Sequence, residues 1–165
     1  MAGKTLLLMR HAKSSWKTNE ADATRPLSGR GTRDAVVAGE TLADFDIDVL
    51  LCSTASRAQQ TWQCALMGGA SASSVKMRDS LYAAWPEQIL DEIRELPSAT
   101  RTALVIGHQP AMGELIVNLV AASPLSGRVA EKFPTSAIAV LTFDGSWEEL
   151  AYGDAVLRAV EVPRG

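Results

Sequence analysis

The feature of this sequence that most constrains its fold is the alternation of short apolar runs with segments of helical periodicity. Thr5–Met9 and Ile47–Leu51 have the length and apolar character of buried strands. Residues 28–44, with Ser28 as N-cap, and residues 86–95 carry apolar side chains at the spacing of amphipathic helices. Strands that alternate with helices form a mostly parallel sheet with helices on both faces. The sequence therefore predicts an α/β fold, a three-layer α/β/α sandwich.

The end of the chain predicts an antiparallel addition to this sheet. Ala137–Phe143 and Trp147–Tyr152 are apolar runs on either side of Asp144-Gly145, a dipeptide typical of hairpin turns. A hairpin there adds at least one antiparallel strand at an edge. Residues 123–127, rich in serine, proline and glycine, are predicted as a loop. Further strands are expected at 75–77 and 103–106, and further helices at 58–66 and 112–120.

Composition indicates an ordinary soluble globular protein. The 165 residues fit a single domain, residues 1–165, because roughly 150 residues is a usual domain length. Hydrophobic residues make up 47% and charged residues 21% of the chain, which is enough apolar material for a core. The formal net charge of −3 argues against nonspecific attraction to nucleic acid or to an anionic membrane. Neither is therefore expected as a partner.

Three features of the sequence point to the cytoplasm. Cys52 and Cys64, the two cysteines of the chain, are too few for a disulfide framework and fit a reducing compartment. The longest apolar stretches fall far short of the ~20 residues that span a bilayer. The apolar run Leu6–Met9 near the N-terminus is shorter than the apolar region of a signal peptide. We therefore expect a cytoplasmic protein.

Polar side chains follow directly after three of the predicted strands. Arg10-His11 comes after the first strand, Cys52–Arg57 after the second, and Gly107-His108 after the strand at 103–106. In an open parallel sheet the carboxyl ends of the strands lie along one edge, where ligands bind. Both histidines of the chain and two arginines should therefore converge beside a helix N-terminus, whose N–H groups also attract anions. The expected result is an anion pocket within an acidic protein.

This set of side chains suits phosphoryl transfer. Guanidinium groups bind phosphate oxygens in pairs and stay charged at every relevant pH. A neutral imidazole is a competent nucleophile, and nearby arginines disfavour protonation of His11. His11 would accept the phosphoryl group while His108 and the arginines stabilise charge on its oxygens. The sequence has no HExxH and no paired-cysteine pattern, so we expect neither a metal nor another cofactor.

Three stretches taken together resemble a known family. Leu8-Met9-Arg10-His11-Ala12-Lys13, then Ser53…Arg57-Ala58…Thr61, then Gly107-His108-Gln109-Pro110 are similar, in this order, to the histidine phosphatase (phosphoglycerate mutase-like) superfamily. The short chain and the stretch Arg25–Gly31 are most similar to its SixA-like phosphohistidine phosphatases. The resemblance implies a phosphoglycerate mutase-like fold with His11 as phosphoryl acceptor. It also implies a phosphate pocket formed by Arg10, His11, Arg25, Arg57 and His108.

The sequence departs from the family pattern at two places. The commoner opening has glycine and then glutamate after the histidine, where this chain has Ala12-Lys13. Lys13 either adds positive charge at the rim of the pocket or is simply solvated. Larger members carry an acidic general acid after the third strand, and here the nearby candidates are Glu87 and Asp91. Both lie in helical turns where acidic residues are favoured in any case, and Glu87 is the possible general acid.

A weak or absent general acid bears on the substrate. An alkyl phosphate leaves as a poor alkoxide unless it is protonated, whereas the imidazole of phosphohistidine departs readily. The leading hypothesis is therefore a metal-independent phosphohistidine phosphatase that acts on a phosphorylated protein in signal transduction. One alternative is a phosphomonoesterase of the same superfamily that acts on a small phosphorylated molecule. The other is a phosphate-binding module without catalytic activity.

A cysteine-dependent phosphatase is a further alternative, because Cys52 and Arg57 lie near each other in the sequence. Enzymes of that kind place five residues between the cysteine and the arginine, in a loop that wraps around the phosphate. Here the intervening residues are Ser-Thr-Ala-Ser, which is one residue too few and contains no glycine. Cys52 is therefore expected to be a small buried residue at a strand end, and Cys64 is given no function.

Overall fold

The structure, a computed structural model that describes residues 3–165, contains one six-stranded sheet. Its strands are β1 (Lys4–Arg10), β2 (Ile47–Ser53), β3 (Ala72–Arg78), β4 (Thr102–Gly107), β5 (Ile138–Phe143) and β6 (Val156–Glu161). They lie in the order β3-β2-β4-β1-β5-β6. The first four are parallel, whereas β5 runs antiparallel to β1, and β6 at the edge pairs antiparallel with β5. The predicted mostly parallel sheet with an antiparallel edge is confirmed.

Helices cover both faces of this sheet. They are α1 (Gly29–Leu42), α2 (Ser56–Gly68), α3 (Pro86–Arg94), α4 (Ala111–Leu119) and α5 (Pro124–Glu131). Alternate residues of β1 point to opposite faces. Leu6 and Leu8 belong to an apolar cluster with α3 and α4, while Leu7 and Met9 belong to one with α1 and α2. The α/β/α sandwich is thereby confirmed, and no helix within residues 3–165 is long and apolar enough to cross a membrane.

The predicted loop at 123–127 is wrong, because α5 begins at Pro124. The Ser123 hydroxyl accepts a hydrogen bond from the backbone N–H of Ser126 at 3.1 Å, and Ser126 Oγ accepts one from the Ser123 N–H at 2.8 Å. Proline suits the first helical position, where its missing N–H would have no partner in the helix. Serine and proline therefore mark the start of a helix at this point.

The predicted second strand of the hairpin, Trp147–Tyr152, is also wrong. This segment forms turns, and the antiparallel partner of β5 is β6, which begins later. Trp147 instead packs into the core against Phe143, with ring centroids 5.1 Å apart, and its Nε1 donates to the Thr100 carbonyl at 2.7 Å. Trp147 is therefore apolar because it is buried in the core from a turn, and not because it belongs to a strand. All other predicted strands and helices are present, with ends shifted by no more than three residues.

Candidate active site

Strands β1, β2 and β4 end beside one another at the same edge of the sheet. β4 lies between the other two, and its register with β1 places Gly107 opposite Arg10. The next residues, His11 and His108, are thereby brought close together, with ring centroids 5.1 Å apart. The structure brings both histidines of the chain to one place, as expected for side chains at the carboxyl ends of neighbouring strands.

A cavity of about 240 Å³ lies at this edge of the sheet. Basic and polar side chains dominate its lining, which consists of Arg10, His11, Lys13, Ser14, Trp16, Arg25, Arg57, His108, Gln109 and Thr135. Five of the six site residues considered in the sequence analysis are therefore brought together, and Glu87 is the exception. Lys13 is exposed and adds its positive charge at the rim.

Glu87 is not brought to this cavity. It lies in the first turn of α3, and its carboxylate accepts a hydrogen bond from Tyr152 Oη at 3.3 Å on the protein surface. The positive end of the helix dipole favours an acidic residue in the first turn whichever way its side chain points. The sequence therefore gives no direction for this carboxylate, and its position does not support a role as the general acid.

His11 is oriented by the carbonyl group of the residue that follows it. Its Nδ1 lies 2.7 Å from the Ala12 carbonyl oxygen, which can only accept a hydrogen bond. The ring proton is therefore on Nδ1, and Nε2 keeps its lone pair. Burial lowers the pKa of His11 to about 3, helped by the charges of His108, Arg57 and Arg10. The imidazole is neutral near pH 7 and has the form that a nucleophile requires.

The loop after β1 is fixed from two sides. On one side the Ala12 N–H donates to Thr61 Oγ1 at 2.9 Å, and the Thr61 hydroxyl donates to the Arg57 carbonyl at 2.7 Å. On the other side α1 lies so close that a Cβ on Gly31 would come within 2.0 Å of the Lys13 carbonyl oxygen. The buried Thr61 therefore ties this loop to the helix that carries Arg57.

His108 is oriented by the hydroxyl group of Ser53. Ser53 Oγ accepts a hydrogen bond from the Ala55 N–H at 3.2 Å and lies 2.8 Å from His108 Nε2. Because this hydroxyl has no other acceptor within residues 3–165, its hydrogen goes to Nε2, and the ring proton of His108 is on Nδ1. Burial, and then the charge of Arg57, lowers the pKa of His108 to about 4. Near pH 7 this ring is a neutral hydrogen-bond donor.

The three arginines of the cavity are held by their terminal nitrogens. Arg10 donates from Nη1 to a backbone carbonyl at 3.2 Å. Arg25 donates to Ser14 Oγ, and from Nη2 to Asp22 Oδ1 at 3.1 Å. Arg57 donates from Nη1 to the Asp22 carbonyl at 2.7 Å and from Nη2 to Asp22 Oδ2 at 3.1 Å. These bonds fix the planes of the guanidinium groups before any ligand is bound.

Four buried N–H groups at the cavity have no hydrogen-bond partner within residues 3–165. They are Nε of Arg10, Nε of Arg25, Nε of Arg57 and Nδ1 of His108. A buried donor without a partner costs roughly 1–3 kcal/mol, so such groups are rare and seldom occur together. All four belong to residues that line the cavity. No three His, Cys, Asp or Glu side chains of the described residues are grouped as metal ligands would be.

The sequence analysis missed several residues of this site: Ser14, Trp16 and Thr135 of the cavity lining, and Asp22 and Tyr82 beside it. Asp22 accepts hydrogen bonds from both Arg25 and Arg57, and Tyr82 Oη donates to the same carboxylate. These bonds, that of Tyr82 foremost, hold the pKa of Asp22 well below its usual range. The Tyr82 ring meets the His108 ring edge-on, with centroids 5.7 Å apart. Asp22 stands three residues before Arg25, which is helical ion-pair spacing, but nothing in the sequence marks Tyr82.

Cys52 lies in the core rather than in the cavity. Its side chain is fully buried in β2, and its Sγ donates to the Ser53 carbonyl at 3.4 Å. Burial raises the pKa of the Cys52 thiol to about 12, so no thiolate forms near pH 7. The alternative of a cysteine nucleophile is excluded, and Cys52 is the small buried residue that the sequence predicts.

Stability is expected to fall as the pH drops from about 6.5 to about 4.5. The unfolded chain binds protons on its histidines near pH 6.5, whereas the pKa values of His11 and His108 in the folded protein are about 3 and about 4. Protons therefore favour the unfolded state in this range, by roughly 3 kcal/mol for each histidine at pH 4.5. Urea unfolding at pH 7.0, 5.5 and 4.5 measures the effect.

The control for this measurement is a protein in which both histidines are replaced by asparagine. Asparagine does not titrate, so the free energy of unfolding of this variant should change little over the same range. Carboxylates titrate mainly below it, which isolates the contribution of the histidines. An equal fall in stability in the variant and the wild type would show that other groups cause it.

Comparison with known proteins identifies the family. The family model of the histidine phosphatase superfamily (branch 1) matches residues 6–96. An uncharacterized protein of Mycobacterium tuberculosis is 40% identical over 162 residues, which cover 94% of this chain and 100% of the relative. The match to the family model includes the segments that carry four of the five cavity residues predicted from the sequence, namely Arg10, His11, Arg25 and Arg57.

Solved structures extend the likeness over the whole fold. A protein of Nakamurella multipartitia, provisionally assigned as phosphohistidine phosphatase SixA, is 36% identical with a TM-score of 0.87, covering 99% of this chain and 98% of the other. One of Agrobacterium tumefaciens with the same provisional assignment is 26% identical with a TM-score of 0.80, covering 97% and 99%. This chain therefore belongs to the histidine phosphatase superfamily, as a phosphatase of its SixA-like group.

Proposed function

We propose that this phosphatase removes phosphoryl groups from histidine side chains of proteins, without a metal, through a phosphohistidine formed on His11. The observation that carries the proposal is the set of four buried, unpartnered N–H groups at the cavity that His11 also lines. Donors of this kind match the oxygens of a phosphoryl group, and the neutral His11 carries a free lone pair on Nε2.

The reaction proceeds in two displacements. His11 Nε2 attacks phosphorus, and the bond from phosphorus to the leaving nitrogen breaks, with its electron pair staying on that nitrogen. The arginines and His108 donate N–H groups to the three non-bridging oxygens, where negative charge is concentrated in the transition state. Water then attacks the phosphorus of the His11 phosphoramidate, which releases phosphate and returns the neutral imidazole.

The lack of a suitable acid favours phosphohistidine as the substrate. The Glu87 carboxylate is engaged by Tyr152 away from the cavity. Asp22 is near the arginines but is held ionised by its hydrogen bonds, so it has no proton to give. An imidazole leaving group needs little protonation, whereas an alkoxide needs a strong general acid. The likeness to proteins assigned as SixA supports the same substrate class.

The substrate is expected to be a histidine-phosphorylated protein of a cytoplasmic signalling pathway. To test this, initial rates are compared for a phosphohistidine peptide, phosphoramidate and glycerol phosphate, all with EDTA present. The two compounds with a phosphorus–nitrogen bond should react about 10²-fold faster or more, which is the lower end of what a general acid contributes. Glu87→Gln should change none of these rates by more than about twofold.

Two outcomes would overturn this assignment. Efficient hydrolysis of glycerol phosphate, slowed by roughly 10²–10⁴-fold in Glu87→Gln, would identify a small-molecule phosphomonoesterase with a general acid. Binding of inorganic phosphate without turnover of any of the three compounds would identify a phosphate-binding module. Loss of activity in EDTA would show that a metal takes part.

A further inference from the structure

We propose that Asp22 is the positioning residue of this site: fixed by Tyr82, it holds Arg25 and Arg57 so that their Nε–H edges face the transferring phosphoryl group. The inference rests on the proposed function of the cavity as a phosphoryl site. It assigns to Asp22 no proton transfer and no contact with the substrate, and it concerns only the alignment of the two guanidinium groups.

Asp22 makes four hydrogen bonds to three side chains. Its Oδ1 accepts from Arg25 Nη2 at 3.1 Å, and its Oδ2 accepts from Arg57 Nη2 at 3.1 Å and from Tyr82 Oη. Its backbone carbonyl accepts from Arg57 Nη1 at 2.7 Å. One residue therefore sets the distance between two guanidinium groups that belong to different parts of the chain.

The hydrogen bonds that hold the two guanidinium groups also determine which of their N–H groups remain without a partner. A guanidinium group is planar, so fixing both terminal nitrogens of Arg57 on Asp22 fixes the whole plane. Arg25 is held in the same way, by Asp22 and Ser14. In both residues the nitrogen left buried without a partner is Nε. Asp22 thus binds the terminal nitrogens of each guanidinium group, and the Nε–H edge is left for a ligand.

Nothing else in this segment explains why Asp22 is held so firmly. None of the residues of the short 3-10 helix at Asp22–Thr24 is buried, so apolar packing does not fix the segment. Tyr82 contributes the missing constraint, since its hydroxyl binds Asp22 and its ring lies 5.7 Å from the His108 ring. The side-chain contacts of Asp22 are all with Arg25, Arg57 and Tyr82, which is the pattern of a positioning residue.

Loss of the Asp22 charge and loss of the alignment of the arginines have opposite effects on ligand binding. Removing the negative charge of Asp22 makes the cavity more positive, which favours ground-state binding of phosphate. Losing the alignment of Arg25 and Arg57 weakens the bonds that form in the transition state. A positioning role therefore predicts that kcat falls while the affinity for inorganic phosphate does not.

The test compares Asp22→Asn with Glu20→Gln, which removes the same charge from an exposed residue of the same segment. The substrate is p-nitrophenyl phosphate, and the inhibitors are inorganic phosphate and vanadate. We expect kcat to fall about 10- to 100-fold in Asp22→Asn, as for the loss of hydrogen bonds between charged groups. Vanadate, which adopts a five-coordinate geometry like that of the transition state, should lose affinity in parallel. Phosphate should bind at least as tightly as to the wild type, and Glu20→Gln should be unchanged.

Tyr82→Phe provides an independent check, with Tyr152→Phe as the matched control on the tyrosine that binds Glu87. Tyr82→Phe should reproduce the pattern of Asp22→Asn with a smaller loss of kcat, because the bonds from Asp22 to the arginines remain. The proposal is overturned if Asp22→Asn keeps kcat within threefold of the wild type. It is also overturned if phosphate affinity falls as much as kcat, since Asp22 would then only support the shape of the cavity.

These outcomes are separate from those that test the substrate. If the wild type fails on the phosphohistidine peptide but hydrolyses p-nitrophenyl phosphate, the substrate assignment fails and Asp22 is still tested by the aryl phosphate. If the wild type hydrolyses no substrate, the ratio of vanadate to phosphate affinity in the two variants still decides whether Asp22 aligns the arginines.

Discussion

Replacement of His11 by alanine is expected to lower turnover by more than about 10³-fold, because it removes the proposed acceptor of the phosphoryl group. The imidazole makes one hydrogen bond, to the backbone carbonyl of Ala12, so its loss should leave the fold intact. Rapid quenching after addition of ³²P-labelled phosphohistidine peptide should give a protein label that is acid-labile and base-stable. Phosphate release and the label are the two measurements.

The position of the label can be determined without fragmenting the protein, because the chain has only two histidines. His108→Ala should still become labelled, more slowly, since this variant keeps His11, the proposed nucleophile. His11→Ala should show no label, and its thermal unfolding and circular dichroism should match those of the wild type. Persistent labelling of His11→Ala, or retention of more than a few per cent of activity, would place the nucleophile elsewhere.

Arg57→Lys is expected to lower kcat/KM by about 10²–10³-fold, although the positive charge is retained. Removal of a single donor that stabilises a transition-state oxyanion has an effect of this size. An ammonium group has a single nitrogen, whereas the Arg57 guanidinium binds Asp22 through two nitrogens and keeps a third N–H, at Nε, without a partner. Steady-state kinetics with phosphoramidate and vanadate inhibition measure the loss.

The matched control is Arg94→Lys. Arg94 also pairs with a carboxylate and donates to a backbone carbonyl, but it lies outside the cavity. Its substitution should leave kcat/KM within about twofold and should change only the stability, by less than about 1 kcal/mol, as is usual for exposed ion pairs. Equal losses in the two variants would mean that Arg57 contributes to folding rather than to phosphate binding.

The sequence predicts the centre of this site because apolar runs locate the strands, and the functional residues follow directly after the strands end. An apolar strand followed at once by Arg10-His11, and another followed by Gly107-His108, must deliver these side chains to the same edge of a parallel sheet. The same reasoning places Arg57 at the start of α2. These inferences need no long-range information beyond the rule that parallel strands share a direction.

The sequence does not predict the outer part of the site. Asp22 and Tyr82 lie in exposed segments without periodicity, and they meet across 60 positions of the chain. The direction of the Glu87 side chain depends on Tyr152, which is equally remote in sequence. Serine and proline at 123–124 favour a loop and a helix start equally well until the capping hydrogen bonds are seen. In each case a tertiary contact decides between local options of similar free energy.

The position of β4 between β1 and β2 has a consequence for biosynthesis. β1 leaves the ribosome before its partners, because its parallel partner β4 follows about 100 residues later and its antiparallel partner β5 later still. Loop closure over such distances is slow, and it cannot begin before both strands have emerged. Until β4 has emerged, a nascent chain therefore carries His11 without His108, its neighbour in the cavity. Chains that end before β4 lack His108, so they cannot form the cavity that this histidine lines together with His11.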